Sequence, residues 1–230
     1  MKYGIIGAMR LEVEALTAAV VNKAEIIISG IPYVFGILQG KDVVIAICGP
    51  GKVNSALCAE AMILTFHPDV IINTGVAGGI GNDLHILDLV IADKVGQHDV
   101  DTVGAGDPIG LIPGINKMYI DADLRLSSDL ADIARRQNNR VHVGTIATGD
   151  QFIASKEQSE KIHRTFPDTL AAEMEGGSIG HVCYINKVPF AVLRAISDGG
   201  NDDAFIDYPQ FVHIAAGRAV DILMEYLKNA

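Results

Sequence analysis

Lys52-Val-Asn-Ser-Ala-Leu-Cys-Ala-Glu-Ala-Met-Ile-Leu-Thr-Phe66, followed by His67-Pro68-Asp69 and then Val70-Ile-Ile-Asn-Thr-Gly-Val-Ala-Gly-Gly79, is the stretch that decides the fold class. Residues 52–66 are rich in Ala, Leu and Met, which lose little freedom in a helix and predict one here. Pro68 has no amide hydrogen and bars that helix from continuing. Val70-Ile-Ile is then a short β-branched run, as in a strand buried on both faces. Thr74-Gly-Val-Ala-Gly-Gly79 reads as a glycine-rich turn after that strand. Helix, hard stop and buried strand together make the unit from which α/β sheets are assembled.

The same alternation extends in both directions. Tyr3 to Gly7 predicts a short buried strand, and Leu11, Ala15, Leu16, Ala19 and Val20 recur at helical steps from Arg10 onward. Ile26–Ser29, Tyr33–Leu38 and Val43–Ile47 read as strands, separated by turns at Gly30-Ile-Pro32 and Gly40-Lys-Asp42. On the other side come a strand over Leu87–Lys94, a helix over Leu124–Arg136 and a strand over Val141–Thr148. Ser155-Lys-Glu-Gln158 has capping-box spacing and opens a helix. Leu170–Glu173 leads into a helix over about 176–186. Pro189–Ile196 is an apolar strand broken only by Arg194, and Asp207-Tyr-Pro-Gln210 caps a last helix reaching about Lys228. His98 to Pro113 is Gly- and Asp-rich without periodicity, a long loop of the kind that usually carries function. No repeat, low-complexity tract or linker interrupts this order. The expectation is a single α/β domain over 1–230, with helices on both faces of a central sheet.

Composition narrows the partners. The chain has 230 residues, 49% of them hydrophobic, and a formal net charge of −10. That much chain can bury a core without metals or disulfides. Such a negative surface repels phosphate backbones and anionic lipid, so neither nucleic acid nor membrane is expected as a partner. Cys48, Cys58 and Cys183 show no CxxC spacing and fit free thiols in a reducing compartment. No apolar run approaches the roughly 20 residues of a membrane span. A cytoplasmic protein is expected. The histidines show neither HExxH nor any pair at ligand spacing, so no metal is expected. His98-Asp-Val-Asp101 fits a solvated residue or a hydrogen-bond partner better than a ligand. No GxSxG elbow is present.

In open α/β sheets ligands bind beyond the carboxyl ends of strands. The polar groups at those ends are Glu12, the 75–79 glycines, Thr148-Gly-Asp-Gln-Phe152, Glu173-Met-Glu175 and Arg194-Ala-Ile-Ser-Asp198. Each has a plain structural explanation as well. Glu12 in a first helical turn is favoured by the helix dipole alone. Asp198 could cap a turn before Gly199-Gly200. Arg194 is harder to explain away, because a guanidinium in a buried strand requires a carboxylate or a polar ligand beside it. Glu173 and Glu175 flank Met174, and an extended geometry would send their side chains to opposite sides. Gly75-Val-Ala-Gly-Gly and Cys48-Gly-Pro-Gly-Lys52 are weak signals for nucleotide phosphate, lacking GxGxxG or full P-loop spacing.

Five motifs taken together go further. Gly4-Ile-Ile-Gly-Ala-Met-Arg-Leu-Glu12-Val-Glu, Asn73-Thr-Gly-Val-Ala-Gly-Gly, Ala147-Thr-Gly-Asp-Gln-Phe-Ile, Ala172-Glu-Met-Glu and Leu193-Arg-Ala-Ile-Ser-Asp198 resemble the 5′-methylthioadenosine/S-adenosylhomocysteine nucleosidases, in order and at similar spacing. The resemblance runs from residue 2 to about residue 225. It implies a three-layer α/β/α sandwich of the nucleoside phosphorylase type with a central mixed sheet, no cofactor, and a homodimer whose 98–113 loop contributes to the neighbouring site. It implies that the chain hydrolyses 5′-substituted adenine nucleosides. Asp198 would protonate adenine N7, with Ser197 supporting it. Glu12 would take a proton from the attacking water, and Arg194 would help position both. Glu175 would hold the ribose hydroxyls with Met174 packed on the sugar, while Phe152 stacks on adenine and the Ile153 backbone reads its edge. Glu173, Met9, Val76, Ala77, Gly78 and Tyr208 complete the implied substrate surface. Three features depart from the family pattern. The 98–113 loop offers Ala105 and Asp107 without aromatics, Pro50 replaces an aliphatic residue, and Val76 stands where serine is frequent. A remodelled pocket for the 5′-group is therefore expected. Alternative readings are a futalosine-type nucleoside hydrolase, a purine nucleoside phosphorylase on the same fold, and a nucleoside-binding module without catalysis.

Overall fold

A computed structural model describes residues 1–201 and 203–230. In chain order the elements are β1 (Lys2–Gly7), α1 (Arg10–Ala19), β2 (Val21–Ile28), β3 (Ile31–Leu38), β4 (Lys41–Ile47), α2 (Lys52–Phe66), β5 (Val70–Gly79) and β6 (Leu89–Gln97). They continue with β7 (Tyr119–Asp121), α3 (Leu124–Arg136), β8 (Val141–Thr148), α4 (Lys156–Thr165), β9 (Thr169–Glu173), α5 (Gly176–Asn186), β10 (Phe190–Asp198) and α6 (Ala204–Asn229).

The ten strands of the described residues join one mixed sheet, and alternate residues along the central strands divide between its two faces. Ile5, Ile45, Ile72, Ile91 and Leu193 face a core with Val13 and Leu16 of α1, Leu130 of α3 and Leu223 of α6. Ile6, Val44, Ile71, Val90 and Val192 face the other way, toward Met62 of α2 and Ile179 and Cys183 of α5. Every residue of β10 is buried, and each fully buried Ile, Leu or Val contributes roughly 1.5–3 kcal/mol. Helices therefore cover both sides of the sheet, as the alternating pattern predicts. α2 stops where Pro68 requires: His67 takes a left-handed conformation (φ 48°), and its N–H bonds back to the Ile63 carbonyl.

One half of the sheet closes on itself. β5 pairs with β10, β10 with β6, β6 with β8, β8 with β9, and β9 returns to β5. β5 and β9 meet antiparallel through Gly78–Ala172 and Gly79–Ala171, so their carboxyl ends come together. Of the remaining strands, β1, β4, β3 and β2 extend from β5 as an open flap, and β7 pairs with β6.

Several boundaries differ from the sequence reading. β5 runs unbroken through Gly79, so the glycine-rich segment is strand rather than turn. The glycines make room: a Cβ on Gly75 would lie 2.9 Å from Arg194 Nη1, and one on Gly78 3.0 Å from Asp198 Oδ1. β2 begins at Val21, earlier than expected, because an edge strand with an exposed face has no apolar run to mark it. The three-residue β7 lay outside the predicted elements and pairs only with β6 among the described residues. Asp207 does not cap the last helix, which starts three residues earlier at Ala204 and carries Pro209 within it. Pro209 is the sixth residue of this helix and has no N–H to give the Phe205 carbonyl, so one bond is lost near the helix start. The 98–113 segment contains one 3-10 turn, Val103–Ala105, and is otherwise irregular up to an isolated bridge from Ile112 to Lys117.

Candidate active site

Glu12 is the third residue of α1 and does two jobs there. Its Oε2 accepts the N–H groups of Ala8 (2.7 Å) and Met9 (2.8 Å), which satisfies amides left free at the helix start. Its Oε1 accepts the Val76 N–H of β5 at 3.1 Å, fixing the carboxylate across the β1–β5 seam. The side chain is buried, and burial pushes its pKa up, while the charge of Arg194 and the three amides oppose that shift.

Arg194 lies in the middle of β10, 1% exposed. Of the carboxylate or polar ligand that its burial called for, the structure supplies two carboxylates: Nη2 bonds to Glu173 and lies 3.4 Å from Glu175 Oε2, and it donates to Asn73 Oδ1 at 2.6 Å. Glu173 and Glu175 do not point to opposite sides. β9 ends at Glu173, and Glu175 is the N-cap of α5 with φ −130° and ψ −42°, so the chain turns and both carboxylates converge on one guanidinium. Glu173 also accepts the Gly176 N–H at 2.7 Å, the Glu175 N–H at 3.1 Å and the Thr148 hydroxyl. It occupies the anion-favouring N-terminus of α5. Glu175 Oε1 accepts the Gly51 N–H at 3.0 Å. Burial first, and then the neighbouring charge of Glu173, push Glu175 up to about 7. Arg194 Nε is buried without a partner among the described residues.

Asp198 closes β10 and is also 1% exposed. Its Oδ1 accepts the Gly200 N–H at 3.0 Å, so the turn-capping explanation holds, and its Oδ2 accepts the Ser197 hydroxyl at 2.9 Å. Burial raises its pKa against both of these bonds. Burial of this kind favours the protonated form of a carboxyl.

Glu12, Glu173, Glu175, Ser197 and Asp198 open into one cleft, with Met9, Val76, Ala77, Gly78, Phe152, Ile153, Met174 and Tyr208 on its walls. Phe152 is 40% exposed and meets Tyr208 edge-on at 5.5 Å and Phe205 at 5.6 Å. The Tyr208 hydroxyl donates to Met9 Sδ at 3.3 Å, joining α6 to the start of α1. Arg194 is not on the wall: it sits behind Glu173 and Glu175. Pro50 lines the cleft, whereas the 98–113 loop of the same chain does not reach it. His98 is not solvated, since its Nε2 is buried and without a partner among the described residues, and burial lowers its pKa. Sequence reasoning missed Asn73, which holds Arg194 through Oδ1 and the Ile6 carbonyl through Nδ2 at 2.9 Å. An amide side chain inside the Val70-Ile-Ile strand was the available signal. The 48–52 loop was a weak signal for nucleotide phosphate in the sequence, with a plain tight turn as the other reading. The amides of Gly51 and Lys52 are taken by Glu175 and Asp150.

Residues 2–228 match the phosphorylase superfamily. A 5′-methylthioadenosine/S-adenosylhomocysteine nucleosidase of Actinobacillus succinogenes is 38% identical over 227 residues, 99% of this chain and 98% of its own. The nucleosidase of that name from Neisseria meningitidis, solved with methylthio-immucillin-A, superposes with a TM-score of 0.96 at 33% identity, covering 100% of this chain and 99% of its own. A futalosine hydrolase mutant of Helicobacter pylori gives a TM-score of 0.94 at 34% identity, covering 100% of both chains. By its full-length match and its likeness to these proteins, the chain belongs to the 5′-methylthioadenosine/S-adenosylhomocysteine nucleosidase family of the phosphorylase superfamily.

Proposed function

We propose that this protein hydrolyses the N-glycosidic bond of 5′-methylthioadenosine and S-adenosylhomocysteine, releasing adenine and the 5′-substituted ribose. The observation that carries the reading is a pair of buried carboxyls from opposite ends of the chain, Glu12 and Asp198, opening into one cleft. Cleavage passes through a sugar cation, so it is helped by a proton on the departing base and by a nucleophile on the far side of the ring. Asp198, its pKa raised by burial and its orientation set by Ser197 and Gly200, gives its proton to adenine N7. Glu12 takes a proton from water and, as an anion, stabilises positive charge on the sugar. Glu175 accepts the ribose hydroxyls and Met174 packs on the sugar. Phe152 stacks on adenine, with Tyr208 bracing the ring, and the Ile153 backbone reads the base edge. Arg194 acts from behind, neutralising part of the charge of Glu173 and Glu175.

Hydrolysis fits better than phosphorolysis. The only guanidinium near the cleft among the described residues is already engaged by Asn73, Glu173 and Glu175, and Glu12 would repel an incoming phosphate. The test is adenine release in phosphate-free buffer from 5′-methylthioadenosine, S-adenosylhomocysteine, 5′-deoxyadenosine and a futalosine-type nucleoside. Free 5′-substituted ribose is the expected co-product. A strict requirement for phosphate would exclude the hydrolytic reading. Pro50 and Val76 on the wall support a relaxed 5′ pocket, for which comparable kcat/KM across the first three substrates is the expected result. A strong preference for methylthioadenosine would refute relaxation but leave hydrolysis intact.

The reading includes a homodimer in a reducing cytoplasm. Val53, Leu57 and Leu64 of α2 and Tyr184 and Ile185 of α5 are exposed, an apolar face that a second copy would cover. Three buried free thiols suit such a compartment. A monomer mass by sedimentation at micromolar concentration would rule out the dimer. No helix among the described residues is long and apolar enough to cross a membrane.

A further inference from the structure

Three segments beside the cleft are tied into a closed ring that the proton transfers above do not use. Lys52 Nζ lies 2.6 Å from Asp99 Oδ1 at the end of β6 and 3.4 Å from Gln97 Oε1. Asp99 Oδ2 accepts the Asp150 N–H at 2.9 Å. Asp150 Oδ1, just past β8, accepts the Lys52 N–H at 2.7 Å and so returns to the start. The Lys52 and Asp99 side chains are 19% and 17% exposed, sheltered enough for the pair to hold a geometry rather than exchange freely with water. Burial alone would push the Asp99 carboxyl up, but the Lys52 ammonium and the Asp150 amide hold it below its usual range.

Gly51 sits where this ring meets the sugar side of the cleft. It precedes Lys52, adopts φ 99°, and points its N–H at Glu175 Oε1, 3.0 Å away. A Cβ on Gly51 would lie 3.0 Å from Asp150 Oδ1, so the peptide is pressed against the ring from the other side. We propose that Lys52, Asp99 and Asp150 are positioning residues for this reaction: their ring aims the Gly51 amide at Glu175 and keeps that carboxylate set for the ribose hydroxyls. The proposal rests on Glu175 holding the sugar.

The electrostatics explain why one amide matters. Glu175 faces Glu173 from β9, Glu12 from α1 and Arg194 from β10, with the neutral Cys48 thiol after β4 nearby. Two carboxylates and one guanidinium leave it short of positive partners, and the Gly51 N–H is the backbone donor that favours its charged form. If the peptide moves, Glu175 holds its proton to higher pH and accepts sugar hydroxyls less well.

The experiment measures kcat/KM for 5′-methylthioadenosine against pH for Lys52→Met, Lys52→Arg and Asp99→Asn. Lys52→Met and Lys52→Arg are also made in a Glu175→Gln background. Lys52→Met is expected to lower kcat/KM by about 10-fold, mostly through KM, the size of one lost charge-assisted hydrogen bond. The acid limb of its profile moves up by about one pH unit, and Lys52→Arg restores most of both. In the Glu175→Gln background Lys52→Met costs nothing further, because the two changes remove the same interaction. An unmoved acid limb in a folded variant, or an undiminished loss in the Glu175→Gln background, overturns the proposal. If Glu175→Gln alone leaves kcat/KM at the wild-type level, the sugar assignment of Glu175 has failed, and the ring's role falls with it. Should Lys52→Met not fold, Asp99→Asn keeps the shape of the ring, loses its charge pair and is read by the same limb.

Discussion

Asp198→Asn lowers the rate of adenine release by about 100- to 10,000-fold, the range that one positioned proton donor supplies, and leaves the fold standing. Asparagine has the same shape, and its side-chain oxygen can still accept the Gly200 N–H that Asp198 Oδ1 accepts. What disappears is the acid proton. Stability follows from the direction of the pKa shift. Asp198 is raised in the folded state, so its contribution is full at low pH and is lost as pH rises through the folded pKa. The amide carries no such penalty, and the variant therefore melts at or above the wild-type temperature on the alkaline side and loses that advantage in acid. Single-turnover adenine release and melting curves at two pH values measure both effects. A rate within a few-fold of wild type would show that adenine leaves without a proton from this residue.

Arg194→Met destabilises the protein by about 3–5 kcal/mol, the cost of stripping the partner from buried charges. That corresponds to a melting temperature lower by roughly 10 °C for a chain of this size. Methionine fills the volume, so the loss is electrostatic: Glu173 and Glu175 remain behind with no cation between them. The deficit depends on pH, with a sign set by Glu175. Its folded pKa, already pushed up to about 7 against the lowering charge of Arg194, rises further when that charge is removed. A raised carboxyl stabilises fully below its unfolded value and loses that contribution as pH rises through the folded one. The variant therefore recovers part of its stability between neutral and mildly acid pH. A uniform deficit across that window would mean that packing, not charge, accounts for the loss.

Much of this site was legible because burial makes polar residues conspicuous. Arg194 stood alone in an apolar strand and had to have a carboxylate or a polar ligand beside it. Glu12 and Asp198 stood at strand ends, where an α/β sheet presents its ligands. What could not be read was direction. The two glutamates around Met174 look like opposite faces of a strand until the chain is seen to turn into α5 between them. The glycines of β5 look like a turn until Glu12, Arg194 and Asp198 are seen lying against them. The closure of β5 onto β9 involves two residue pairs, too few to leave a pattern in the chain. Asn73 and Gly51 act through one amide each, and their importance depends on what stands opposite.

Closure of β5, β10, β6, β8 and β9 also has a temporal meaning. β1 to β4 can pair as soon as they leave the ribosome, since they lie close together in the chain. β5 can join them through β1, but its other edge must wait for β10, more than a hundred residues later, and contacts of such separation form slowly. The nascent protein thus carries Glu12 beside a nearly finished flap while Asp198 is still untranslated. The cleft into which both open is complete only when the last strand slots in.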